Sequence, residues 1–117
     1  MEEKRKFIRL DVGVNVKWKK LYDEIFEDTS INKDISEGGI CLIIEERLQI
    51  GDRLQLEIGL PDKKSITAVG RVAWVSEYGV VYDNHKRNYD TGVEFMEIED
   101  MDRQEISKFV FRGVNNN

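Results

Sequence analysis

Val12-Gly13-Val14-Asn15-Val16-Lys17-Trp18-Lys19 alternates apolar and polar residues without a break. Only an extended strand with one face buried gives that period of two. The same period recurs outward from it. Residues 28–35 read as a more polar strand, and Ser36-Glu37-Gly38-Gly39 reads as a turn by composition. Ile40-Cys41-Leu42-Ile43-Ile44 is a short apolar run suited to a strand buried on both faces. After a turn at Gln49-Ile50-Gly51-Asp52, Leu54, Leu56 and Ile58 alternate again, and Pro61-Asp62-Lys63-Lys64 closes a hairpin. Ile66 to Val75 is a long strand with Gly70 as a bulge or bend, and Tyr89 to Met96 supplies the last strand after a polar loop around Asp83–Arg87. Strands this frequent predict a sandwich or a barrel, and closure removes the exposed edges that a small all-β protein must otherwise protect.

The period changes at the C-terminal end. Met101, Ile106, Phe109 and Val110 are expected on one helical face, with Asp100 or Asp102 capping the start and Gly113 stopping the helix. The 117 residues are expected to form one domain, 1–117: a flexible ligand-binding arm at 1–9, a barrel over 11–97 and a helix over 100–112.

No run of about 18 apolar residues exists, so no membrane insertion is expected, and the charged N-terminus lacks the apolar stretch of a secretory signal. A cytoplasmic protein is the simplest expectation. Cys41 is alone and reads as a small buried hydrophobe, and His85 is the sole histidine, so no metal site is expected. A net charge of −5 argues against general nucleic-acid binding, which requires neutralising many phosphates. Aromatic and basic residues do not interleave on any one strand, as single-strand binding would require. A Ser36–His85–Asp34 triad lacks any nucleophile elbow, so no enzyme is expected. Trp18 and Trp74 both fall on alternating strands and are read as core, although Trp74 could stack a base.

Two short pieces stand apart from this frame. Arg5-Lys6-Phe7-Ile8-Arg9 places two guanidinium groups four positions apart, on the same side of an extended arm or one above the other in a turn or helix, and long side chains let either geometry converge on one ligand. Each planar fork can pair with phosphate or with O6 and N7 of guanine. Asp34-Ile35-Ser36-Glu37-Gly38-Gly39 places a carboxylate and a hydroxyl two apart, so that both face one way. They can accept from the N1–H and N2–H₂ edge of guanine, or simply close a turn on their own backbone. Gly38 and Gly39 permit positive φ and leave room for a ligand.

Together the pieces resemble the PilZ domain family of bacterial cyclic di-GMP receptors, whose pattern is Arg-x-x-x-Arg followed by Asp/Asn-x-Ser-x-x-Gly. Here it stands as Arg5-x-x-x-Arg9 and Asp34-x-Ser36-x-x-Gly39. Gly70-Arg71-Val72-Ala73-Trp74-Val75 and Thr91-Gly92-Val93-Glu94-Phe95 are also similar to the family's strands. The resemblance implies an all-β fold: a six-stranded antiparallel split barrel with a C-terminal helix. It implies cyclic di-GMP, a doubly negative ring with two guanines, as ligand, and no other cofactor. Arg5 and Arg9 would hold phosphates and guanine edges, Asp34 and Ser36 would bond a guanine, and Gly39 would let the backbone come close. Lys4, Gly38 and Arg71 are additional candidates. Lys4 stands where many members carry a further arginine, which bears on how many ligand molecules stack. The expected function is a receptor whose N-terminal arm orders around the nucleotide. It would then signal to a downstream protein of motility, exopolysaccharide or regulatory machinery. The alternative is a barrel of the same fold that binds proteins and no nucleotide.

Overall fold

The computed structural model describes residues 9–11, 13–24, 27–61, 65–77 and 88–115. Six strands, β1 (Asn15–Lys20), β2 (Glu27–Ser36), β3 (Gly39–Ile44), β4 (Arg53–Gly59), β5 (Ser65–Glu77) and β6 (Tyr89–Glu97), precede helix α1 (Asp100–Asn115). All strand pairs are antiparallel, and the strands close in the order β1-β2-β3-β6-β5-β4. The closing seam is β1 on β4, from Asn15 opposite Gly59 to Lys20 opposite Leu54.

Alternation places the core as expected. Val16, Trp18, Leu54, Leu56, Ile58, Ile66, Ala68 and Val72 are all buried, while Asn15, Lys17 and Arg53 between them are exposed. The apolar run of β3 has Ile40, Cys41, Leu42 and Ile44 buried. The β4–β5 hairpin is formed, with Gly59 opposite Ser65; residues 62–64 of the expected turn lie outside the described residues, as do Asp83–Arg87 and His85.

Four irregularities interrupt the ladders. Two of them reverse the facing of a strand. In β2, Asn32 pairs with Leu42 but Asp34 pairs with Cys41, so Lys33 is an extra residue in the ladder. Asn32 and Ile35, three apart, are therefore both buried, and Asp34 and Ser36 leave the face that Asn32 occupies. In β5, Val72 pairs with Val93 but Trp74 pairs with Gly92, so Ala73 is extra. The buried series Ile66, Ala68, Gly70, Val72 ends there, and Val75 in place of Trp74 packs against the core. Trp74 is 40% exposed, which corrects its assignment to the core. The shift expected at Gly70 is present between Val69 and Gly70.

Helix α1 begins with Asp100 and Asp102, and ends near Arg112, charges that suit the helix dipole at each end. Ile106 and Val110 are buried and Phe109 is partly so. Met101 is 77% exposed and does not share their face: it lies five residues before Ile106, which is about 140° around the helix. Nor does Gly113 stop the helix, which runs on to Asn115. Its lack of a side chain serves packing instead, because a Cβ there would overlap the Leu10 side chain. Leu10 is fixed in turn by paired backbone bonds to Ile35, N–H to O at 2.9 Å and O from N–H at 3.1 Å.

At the start of β3, a Cβ on Gly39 would overlap the carbonyl oxygen of Val93, a backbone atom that cannot swing aside. Gly39→Ala should therefore lower stability by about 1–3 kcal/mol, the cost of overpacking. A shift of the urea midpoint at unchanged m-value checks this.

Candidate functional site

The two bulges turn side chains from adjacent strands onto one outer patch. Asp34 and Ser36 come from β2, Ile40 and Cys41 from β3, Gly92, Val93, Glu94 and Phe95 from β6, and Ala73 and Trp74 from β5. These strands are neighbours in the barrel, so the patch is continuous. Arg9 closes it from the segment before β1, and Arg103 from α1. The cavity, an open cleft, is about 450 Å³, within the range of about 300–1,000 Å³ usual for small-ligand clefts.

Arg9 sits where the Leu10–Ile35 bridge holds it, next to the strand that carries Asp34. Its Nη1 lies 3.6 Å from Asp34 Oδ2, with the two side chains 29% and 14% exposed. The distance leaves most of the guanidinium's five donors, and the carboxylate's other lone pairs, open to a ligand. The Ser36 hydroxyl accepts from the Gly38 N–H at 3.2 Å and donates to the Gly39 carbonyl at 3.4 Å. The Gly38 carbonyl accepts from Phe95 N–H at 3.0 Å, which ties the turn to β6. Ser36 thus closes its own turn and lines the cavity as well. Positive φ is not how the two glycines serve: among the described residues the positive-φ glycine is Gly51, at 96°. Gly39 is required instead by the close approach of Val93.

Trp74 has a seat made for it. A Cβ on Gly92 would overlap the indole at Nε1 and Cε2, so the ring lies against the glycine backbone. Its remaining surface opens to the cavity.

Of the residues anticipated, Arg9, Asp34, Ser36, Gly38 and Gly39 meet at this cavity. Arg71 is exposed, opposite Glu94 in the ladder, and does not line it. Lys4 and Arg5 lie outside the described residues. Sequence reasoning missed Arg103 and Glu94. Arg103 did carry a signal: it stands three residues before Ile106 and seven before Val110, on the helix's buried stripe, where an arginine is out of place. Among the described residues, no group of three His, Cys, Asp or Glu could hold a metal ion. No helix among them is long and apolar enough to cross a membrane.

Comparison with known proteins bears on the fold. The PilZ domain model matches residues 3–112. Three solved structures share the fold. Bacillus subtilis inhibitor of motility (MotI/DgrA) is 24% identical at a TM-score of 0.80, covering 99% of this chain and 54% of that one. The PilZ domain with c-di-GMP of YcgR from Escherichia coli is 18% identical at 0.75, covering 97% and 94%. The K. pneumonia MrkH–c-di-GMP complex is 17% identical at 0.78, covering 98% and 54%. The chain therefore spans about half the length of MotI and MrkH. No curated protein matches it.

The Gly92 seat makes a spectroscopic prediction. Gly92→Ala should displace the Trp74 ring and shift its indole N–H resonance, while the resonance of buried Trp18 stays in place. Two unmoved indole signals in a folded Gly92→Ala variant would show that the ring does not rest on Gly92.

Proposed function

This chain belongs to the PilZ domain family, and on that premise we propose that it is a non-catalytic receptor for cyclic di-GMP that relays the signal to a partner protein. The observation that carries the reading is the meeting of Arg9 with Asp34, Ser36 and Gly39 at one cavity, with an open indole beside them. Solved relatives of the same fold support it, since the YcgR and MrkH structures hold c-di-GMP.

The chemistry follows from the residue types. Arg9 presents a planar fork to a phosphate or to the O6/N7 edge of guanine. Asp34 accepts from guanine N1–H and N2–H₂ while keeping its contact with Arg9, and partial burial strengthens each of these bonds. Ser36 holds the turn that brings the Gly38 and Gly39 backbone up to the ligand. Trp74 offers a face on which a base can stack. Arg5 belongs to the same ligand set by its place in the motif, and Lys4, just before it, is an additional candidate. The N-terminal arm orders around the nucleotide, and the changed surface is what a partner in motility, exopolysaccharide or regulatory machinery reads. The protein acts in the bacterial cytoplasm, where that nucleotide is found.

Calorimetric titration with cyclic di-GMP is expected to show binding, with no hydrolysis product after prolonged incubation. Absence of both heat and thermal stabilisation well above micromolar ligand would leave the alternative, a protein-interaction barrel. Arg9→Lys should weaken binding about tenfold or more, since the charge remains and the fork is lost. Equal affinity for that variant would remove the bidentate role.

Base selectivity tests Asp34 separately. Cyclic di-AMP presents an acceptor at N1 where guanine presents a donor, so it should bind far more weakly than cyclic di-GMP. Asp34→Ala should lose more affinity for cyclic di-GMP than Asp34→Asn, which keeps a carbonyl acceptor. Comparable binding of the two nucleotides would mean that the cavity reads phosphates alone.

A further inference from the structure

We propose that Arg103 is a ligand-binding residue of this cavity, and that through it the bound anion holds helix α1 against the barrel. The proposal rests on the receptor reading above and extends it to an element that the two sequence motifs do not include.

Position is the first observation. Arg103, Ile106, Val110 and Gly113 stand at i, i+3, i+7 and i+10, one stripe of the helix. Ile106 and Val110 on that stripe are buried, and Gly113 receives the Leu10 side chain. Arg103 therefore heads the face that turns inward, and it lines the cavity that Arg9 closes from elsewhere in the chain.

Its lack of a counter-ion is the second. Two carboxylates line the same cavity, Asp34 and Glu94. Asp34 is engaged by Arg9, yet among the described residues Arg103 makes no ion pair. A half-buried guanidinium with five donors and no carboxylate paired to it among the described residues is a group suited to take an anion. A dianion with two separated phosphates supplies one for Arg9 and one for Arg103.

Coupling follows from the neighbour of Arg9. Leu10 packs on Gly113, so the arm's base already touches the helix on the stripe that Arg103 heads. A ligand gripped by Arg9 and Arg103 adds a second tie between the same two elements. Because it binds the docked helix better than an undocked one, occupancy must strengthen docking by linkage.

The test compares the parent with Arg103→Ala, Arg103→Lys and, as a control on the same helix, Arg112→Ala. Each is titrated with cyclic di-GMP by calorimetry, and amide exchange is followed along α1 with and without the nucleotide. Arg103→Ala should bind about tenfold or more weakly, Arg103→Lys should fall between it and the parent, and Arg112→Ala should match the parent. Amides of α1 should slow on adding nucleotide to the parent and not to Arg103→Ala. If Arg103→Ala proves less stable without ligand, the folded Arg103→Lys variant carries the comparison. A parent that binds, with Arg103→Ala within twofold of it and equal slowing in α1, overturns the role of Arg103 and leaves the receptor reading standing. A parent that does not bind removes both.

Discussion

A β-strand shows its side chains to two faces in strict alternation, and a residue cannot change face unless the ladder gains or loses a step. That constraint governs this barrel. The extra residue at Lys33 lets Ile35 fill the core while Asp34 and Ser36 turn to the cavity. The extra residue at Ala73 ends a buried series at Val72, brings Val75 onto the core and turns Trp74 outward. Remove either step and an acid or an indole would point into the hydrophobic interior. The bulges therefore do two things at once: they keep the core apolar and assemble polar and aromatic groups on one patch outside it.

Close backbone approach is the second requirement, and it explains the glycines better than conformational freedom does. Gly39 lets β3 and β6 come together beneath the cavity floor, Gly92 seats the Trp74 ring, and Gly113 admits Leu10 to the helix. The last two contacts matter to the proposed function because they set where the Trp74 ring and the segment that carries Arg9 rest. Leu10 is held by two backbone bonds to Ile35, so Arg9 has a fixed base from which to reach Asp34.

The charge distribution fits a small anion. The chain as a whole carries −5, yet the cavity receives an arginine from each of two separate elements, Arg9 before β1 and Arg103 on α1. Asp34 and Glu94 sit among them. A site lined by both signs can distinguish phosphate from base within one ligand: in the proposed receptor, cations would meet the phosphates and carboxylates guanine's donors. A long polyanion would gain from the arginines but would also meet the acidic body around them.

The strands, their order along the chain and the C-terminal helix were legible in the sequence, because each is specified by local periodicity. Arg9, Asp34, Ser36, Gly38 and Gly39 were legible as a spaced pattern of chemistry, and the fold brings them to one cavity. Other residues were not. Trp74 was misplaced because a bulge at Ala73 leaves no mark in the alternation that precedes it; the extra step is set by pairing with β6, twenty residues away. Met101 and Gly113 were misjudged because apolarity and a helix-breaking residue say nothing about what stands opposite; rotation around the helix exposes the first, and the Leu10 side chain requires the second. Arg103 went unnoticed because its meaning lies in the packing of α1 against a cavity built from four strands. Local patterns are encoded residue by residue, whereas which face a residue turns to, and what it meets there, depends on partners distant in the chain.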